Sequence, residues 1–165
     1  MPLSKEGATL NEETVLVVDD EVEMRNFLKD VLASQGFSVH VAASGQEAIN
    51  QAPLLKPDLI LLDLMMTTLD GIAVCKMLRA SEKTENIPIL VVTGSLSSQQ
   101  IEESMTSGAD DFISKPIDVQ DMLIRVRAML KWRAITDPVA RLSRYVETVR
   151  EMSEAPPPPT KPHGE

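Results

Sequence analysis

Five short apolar runs recur along the chain at near-even spacing: TVLVVDD (14–20), FSVHVA (37–42), DLILLD (58–63), IPILVVTG (87–94) and DDFISKP (110–116). Their richness in β-branched residues predicts strands. In three of them the apolar residues are consecutive instead of alternating, the pattern of a parallel strand covered on both faces. The segments between carry helical spacing. Residues 21–35 place Val22, Phe27, Leu28, Val31 and Leu32 largely on one side, with Gly36 as a stop. Residues 44–52 open on Ser44 with Glu47 three positions later, the spacing of a capping box. Residues 71–81 carry Ile72, Cys75 and Leu78 behind Asp70, a ready N-cap. Residues 97–107 run to Gly108, and 118–133 line up Val119, Met122, Leu123, Val126, Met129 and Leu130 behind Asp118.

Strand–helix alternation repeated five times predicts an α/β domain over residues 14–133. With right-handed crossovers its natural form is a doubly wound, five-stranded parallel sheet. In such sheets a ligand site lies at the carboxyl ends of the strands, near the switch in strand order. Residues 1–13 form an N-terminal extension. After the domain, Asp137–Pro138 reads as a cap and first turn. Val139, Leu142, Val146 and Val149 then form a narrow apolar seam, so 134–153 is an extra helical extension. Residues 154–165 are proline-rich and polar, the composition of a disordered tail. The run Pro156–Pro159 reads as an end-spacer, with a ligand for a proline-binding domain as the alternative.

Composition narrows the partners. Hydrophobic residues make up 43% of the 165, enough for a core, but aromatics only 3%, so packing falls to aliphatic side chains. A net charge of −9 argues against a nucleic-acid surface, which needs clustered Lys and Arg. The lone Cys75 makes no intrachain disulfide and no four-cysteine zinc site, and reads as a small buried side chain. MPLSKEGATLNEE lacks the basic-then-apolar pattern of a signal peptide. No apolar run approaches the ~18–20 residues that span a bilayer. The expectation is a cytoplasmic protein with no membrane partner.

The strand ends carry the chemistry. The first ends in Asp19–Asp20, the third in Asp63, the fourth in Thr93 and the fifth in Lys115–Pro116. Singly each is weak: an acid pair can be a turn, and a strand-end Thr is often only a β-former. Together they predict one site. Three gathered carboxylates repel one another unless a cation joins them. Oxygen donors select a hard divalent ion, Mg²⁺ with Mn²⁺ as the alternative. Because Mg²⁺ keeps positions for phosphate oxygens, the site suits a phosphoryl group. Asp63 would be its nucleophile, and the metal, Lys115 and Thr93 would hold the phosphoryl oxygens.

VLVVDDE, DLILLDLMMTTLDG, ILVVTG and GADDFISKP, in that order, resemble the receiver domain of two-component response regulators, over about residues 14–133. The resemblance implies a flavodoxin-like sheet of order 2-1-3-4-5 with an extra C-terminal helix. It implies that Asp63 is the phosphoacceptor, Asp20 a direct Mg²⁺ ligand, Asp19 a ligand largely through water, and the Met65 backbone carbonyl a further one. Lys115 would contact the phosphoryl group and Asp63. Thr93 and Phe112 would be the switch pair, and Pro116 would follow a cis peptide bond. Such domains commonly carry proline where this chain has Thr67, and tyrosine where it has Phe112, which offers no hydroxyl. The phosphodonor would be a sensor histidine kinase or a histidine phosphotransfer protein. Phosphorylation would reshape the face of the fourth helix, fifth strand and fifth helix for a downstream protein target.

Two other readings compete. A haloacid-dehalogenase-type phosphatase also uses an aspartyl nucleophile, but wants an acid two residues on, where this chain has Met65. Alternatively, the sequence is the N-terminal fragment of a larger regulator with an output domain. On the favoured reading the chain is no enzyme beyond its own phosphorylation and dephosphorylation. It acts as a stand-alone receiver, with a homodimer through the last helix as one arrangement.

Overall fold

The computed structural model describes residues 12–94 and 97–156. Its elements are β1 (Thr14–Val18), α1 (Val22–Ser34), β2 (Ser38–Ala42), α2 (Gly45–Leu55), β3 (Leu59–Asp63), α3 (Gly71–Arg79), β4 (Ile89–Thr93), α4 (Ser98–Ser107), β5 (Asp111–Ser114), α5 (Val119–Trp132) and α6 (Pro138–Glu154). The five strands form one parallel sheet in the order β2-β1-β3-β4-β5. The three runs of consecutive apolar residues are its central strands. β3 and β4 are buried at every position, and β1 at all but its first. The sheet divides two apolar layers. Val15, Val17, Leu59, Leu61, Leu90 and Val92 face α1 and α5, while Leu16, Val18, Ile60, Leu62, Ile89 and Val91 face the side of α2 and α3.

Caps set the helix starts where the sequence places them. The side chains of Ser44, Asp70, Asp118 and Asp137 accept from the backbone N–H three residues on. Gly108 ends α4 with φ 116°, and Gly36 follows α1 with φ 91°, both in the left-handed region that glycine enters without strain.

Three expectations change. On α1 the inward stripe is Met24, Leu28, Val31 and Leu32, whereas Val22 and Phe27 are exposed. At about 100° per residue Val22 falls roughly 120° from Leu28 and Met24 only about 40°, so Met24 takes its place. Helix α2 continues beyond residue 52, through Pro53 to Leu55. A proline here forgoes one backbone bond, and the turn still closes on Lys56, whose N–H reaches Ala52 O at 2.9 Å. On α6 the seam is split. Val149 packs against the α5-side core, with Tyr145 and Thr148 buried beside it, while Val139, Leu142 and Val146 stay exposed. The seam picked out by valine spacing lies about a fifth of a turn from the face that docks, which is centred on Tyr145. The N-terminal extension up to residue 11 and the tail from 157 lie outside the described residues.

Candidate functional site

The carboxyl edge of the sheet gathers the predicted residues. Asp19 directly follows β1 and is 1% exposed. Its Oδ1 accepts from Glu21 N at 2.8 Å, a local turn that aims the carboxylate inward. Arg25 Nη1 on α1 donates to the Asp19 carbonyl at 2.8 Å and holds the same loop from outside. Asp63 is the last residue of β3 and 3% exposed. Its Oδ1 accepts from Met65 N at 3.1 Å, and its Oδ2 lies 3.4 Å from Lys115 Nζ. The same ammonium lies 3.5 Å from Asp19 Oδ2, so one cation serves two carboxylates. Lys115 follows β5, and its N–H bonds the Thr93 carbonyl at 2.9 Å, fixing the loop to the end of β4. The Lys115–Pro116 peptide is cis. Thr93 ends β4 and is buried at the same edge.

Asp20 completes the cluster. Ligand oxygens of Asp19, Asp20 and Asp63 all lie within 4.8 Å of one another. Thr67, in the loop after β3, donates to Asp20 Oδ2 from its N–H at 3.2 Å and its hydroxyl at 3.3 Å. A proline at this position could make neither bond, so the loop is tied to Asp20 by the residue that departs from the usual pattern. Nothing in the sequence signalled this contact. The Met65 side chain points out to solvent, 57% exposed, and its backbone is what reaches the site. Phe112 is half-buried on β5 and packs on the α2–α3 side of the sheet.

Charge explains the electrostatics. Burial pushes the Asp63 carboxyl above its usual value. The Met65 N–H opposes that rise, the neighbouring Asp19 adds to it, and Lys115 opposes it. Burial pulls the Lys115 ammonium down, but attraction to Asp63 and Asp19 outweighs it and the net shift is upward. Three carboxylates against one ammonium leave an anionic oxygen-lined site. A hard divalent cation fits this donor set; a soft one does not.

Comparison with known proteins gives a consistent result. The family model described as the response regulator receiver domain matches residues 15–127. The DNA-binding dual master transcriptional regulator RpaA of Synechocystis sp. is 36% identical over 137 residues, 83% of this chain and 56% of that protein. The DNA-binding response regulator MtrA of Mycobacterium tuberculosis is 38% identical over 129 residues, 78% of this chain and 55% of that one. The chain thus spans about half the length of these curated relatives. Among solved structures, a putative response regulator from Chloroflexus aurantiacus superposes with a TM-score of 0.69 at 33% identity, covering 72% of this chain and 98% of that one. The receiver domain of a signal transduction histidine kinase from Syntrophus aciditrophicus gives 0.70 at 29%, covering 76% and 96%. Among the described residues, no helix is long and apolar enough to cross a membrane.

Proposed function

The chain belongs to the response regulator receiver family, and from that premise we propose that Asp63 accepts a phosphoryl group from a phosphohistidine donor. The observation that carries the proposal is the seating of the Asp63 carboxylate. It is nearly sealed from solvent, faces Lys115 Nζ at 3.4 Å, and shares the sheet edge with the oxygens of Asp19 and Asp20.

The step is an in-line displacement. An Asp63 carboxylate oxygen attacks phosphorus on the side opposite the donor nitrogen. The O–P bond forms as the P–N bond breaks, and the electron pair leaves with the imidazole, which takes a proton from solvent. Met65 N–H and Lys115 oppose the effect of burial on the carboxylate and orient it. Lys115, moored to Thr93 through its backbone, supplies a cation for a phosphoryl oxygen. The Thr93 hydroxyl supplies a hydrogen bond to another. Asp19, Asp20, Asp63 and the Met65 carbonyl would hold Mg²⁺. Bound there, the ion neutralises the carboxylate cluster together with the phosphoryl oxygens that join it. Attack of water on the acyl phosphate restores Asp63 and releases inorganic phosphate.

The added dianion and its acceptor oxygens draw Thr93 inward, and Phe112 follows, reshaping the face of α4, β5 and α5 for a protein partner. The donor is a sensor histidine kinase or a phosphotransfer protein. Incubation with Mg²⁺ and acetyl phosphate, read by intact mass, tests the assignment. One phosphoryl group should add to the wild type and none to Asp63→Asn; a mass gain that persists in Asp63→Asn refutes it.

A second reading is favoured by the length of the relatives. Both are named for DNA binding and are nearly twice as long as the aligned segment. On that reading residues 14–133 are the receiver portion of a longer regulator, and α6 leads toward an output domain.

A further inference from the structure

Asp111, on the edge strand β5, is engaged through both carboxylate oxygens. Its Oδ1 accepts from the N–H of Phe112 at 2.8 Å. Its Oδ2 accepts from Arg125 Nη1 on α5 and from the Tyr145 hydroxyl on α6. Arg125 is braced in turn by Asp121, at 3.1 and 3.2 Å from Nε. One carboxylate therefore ties the switch residue's backbone to two helices. Tyr145 is 8% exposed and belongs to the apolar cluster with Val126, Met129 and Leu130.

The rest of α6 is held lightly. Trp132 Nε1 on α5 donates to Thr148 Oγ1 at 2.8 Å, and the Arg144 guanidinium lies 5.7 Å from the Trp132 ring centre. Near the start of α6 the seating is incomplete. A cavity of about 340 Å³ opens there, lined in part by Met105, Met129, Trp132, Leu142 and Tyr145. Most of a helix's stability in a protein comes from packing one face, so α6 depends on this docking.

We propose that the α5–β5 face is a helix-docking surface occupied in cis by α6, and that Asp111 makes this occupancy depend on the state of Asp63. Phosphorylation then loosens α6 and frees the face for an amphipathic helix of a partner protein. The inference rests on the phosphoacceptor reading above. Its physical basis is that Phe112 and Asp111 are consecutive on β5. Hydrogen bonds are short-ranged and directional. A displacement of β5 that carries Phe112 inward turns the Asp111 carboxylate away from Tyr145. The surface released has the chemistry that α6 itself matches: a carboxylate paired with an arginine, an indole N–H, and an aliphatic strip. A partner helix bearing a hydroxyl-tipped aromatic residue beside apolar ones fits it.

Trp132 is the only tryptophan, so its emission reports on this contact alone. The full chain is compared with Mg²⁺ alone and with Mg²⁺ plus beryllofluoride, and intact mass after acetyl phosphate treatment is followed in parallel. Acrylamide quenching of Trp132 should rise at least about twofold on loading, and tryptic cleavage at Arg141, Arg144 and Arg150 should accelerate several-fold, as local opening exposes the helix. Tyr145→Phe keeps the ring and removes only the hydroxyl. It should show both changes without beryllofluoride while still gaining the phosphoryl mass, and Asp63→Asn should show neither change on loading. Wild-type quenching and cleavage that do not move while the mass gain is present overturn the docking switch and leave the phosphoacceptor reading intact. No mass gain overturns that reading, and the switch with it.

Discussion

Gly71 opens α3 at the end of the loop that follows Asp63, and the structure gives its role a size. A Cβ on Gly71 would lie 2.6 Å from the Asp63 carbonyl oxygen, 2.7 Å from Leu64 Cα and 2.9 Å from Leu64 Cδ2. The two nearest atoms are backbone, so no side-chain rotation relieves the contact, and the tip of β3 must move. Gly71 N–H also bonds Leu64 O at 3.1 Å, so helix and tip move together. Forced insertion of a methyl into a packed site costs about 1–3 kcal/mol. For a chain of this length that lowers the melting temperature by roughly 2–12 °C. Displacing Asp63 from Lys115 should also slow acyl phosphate formation, by about tenfold or more, since small misplacements of reacting groups are costly. Gly94 is the control. Among the described residues a Cβ there meets nothing nearer than Lys115 Cδ at 4.0 Å, an ordinary contact. Gly94→Ala should therefore change stability by less than about 0.5 kcal/mol. Both variants are melted by far-ultraviolet circular dichroism without Mg²⁺, then labelled with acetyl phosphate. A Gly71→Ala protein that melts and labels like Gly94→Ala would refute the argument.

Three further outcomes are expected. Without Mg²⁺, Asp63→Asn should melt higher than the wild type by on the order of 1 kcal/mol, because it removes one of three clustered carboxylates. Millimolar Mg²⁺ should narrow the gap by stabilising the wild type through binding, and equal melting at every Mg²⁺ concentration would contradict this. Thr67→Val removes the hydroxyl that donates to Asp20 and should weaken Mg²⁺ binding by up to about tenfold in calorimetry, the lower end for a lost supporting bond; unchanged affinity would show that Thr67 does not position Asp20. Burial raises the Cys75 thiol to about 11, so it is protonated at neutral pH, and Ellman's reagent should label it only as fast as the protein opens. Rapid stoichiometric labelling of the folded protein would show the thiol to be accessible.

The sheet was legible because each central strand is short and apolar on both faces, and every helix but α1 starts behind a capping side chain. The site was legible for the related reason that its residues stand at strand ends, where an acid after an apolar run has no packing purpose. What escaped is what depends on distance in the chain. Thr67 and Asp20 are 47 positions apart, and no periodicity relates a threonine in one loop to an acid in another. Tyr145 escaped because a helix with two apolar sides shows its aliphatic seam first. The exposed Val139, Leu142 and Val146 outweigh one tyrosine in any count of hydrophobic spacing, yet the face that docks is centred on Tyr145. Asp111 read as part of a strand, and its three donors come from its neighbour, from α5 and from α6.

Charge joins the fold to the proposed chemistry. A carboxylate that must attack an anionic phosphoryl group needs to be nucleophilic, yet must not repel its target. At the sheet edge Asp19 and Asp20 make the second problem worse, since their charges lie within 4.8 Å of the attacking group. Lys115 offsets only part of this, standing 3.4 and 3.5 Å from two of the three carboxylates. A structural role alone would not require that imbalance, because an uncompensated acid buried at a strand end is destabilising. The excess negative charge is instead what a divalent cation needs in order to bind, and the Lys115 ammonium beside Asp63 is what a phosphoryl oxygen needs in order to be held. The same imbalance accounts for the placement of Thr67 and Arg25, which restrain Asp20 and the Asp19 loop from outside without adding a second cation to the centre.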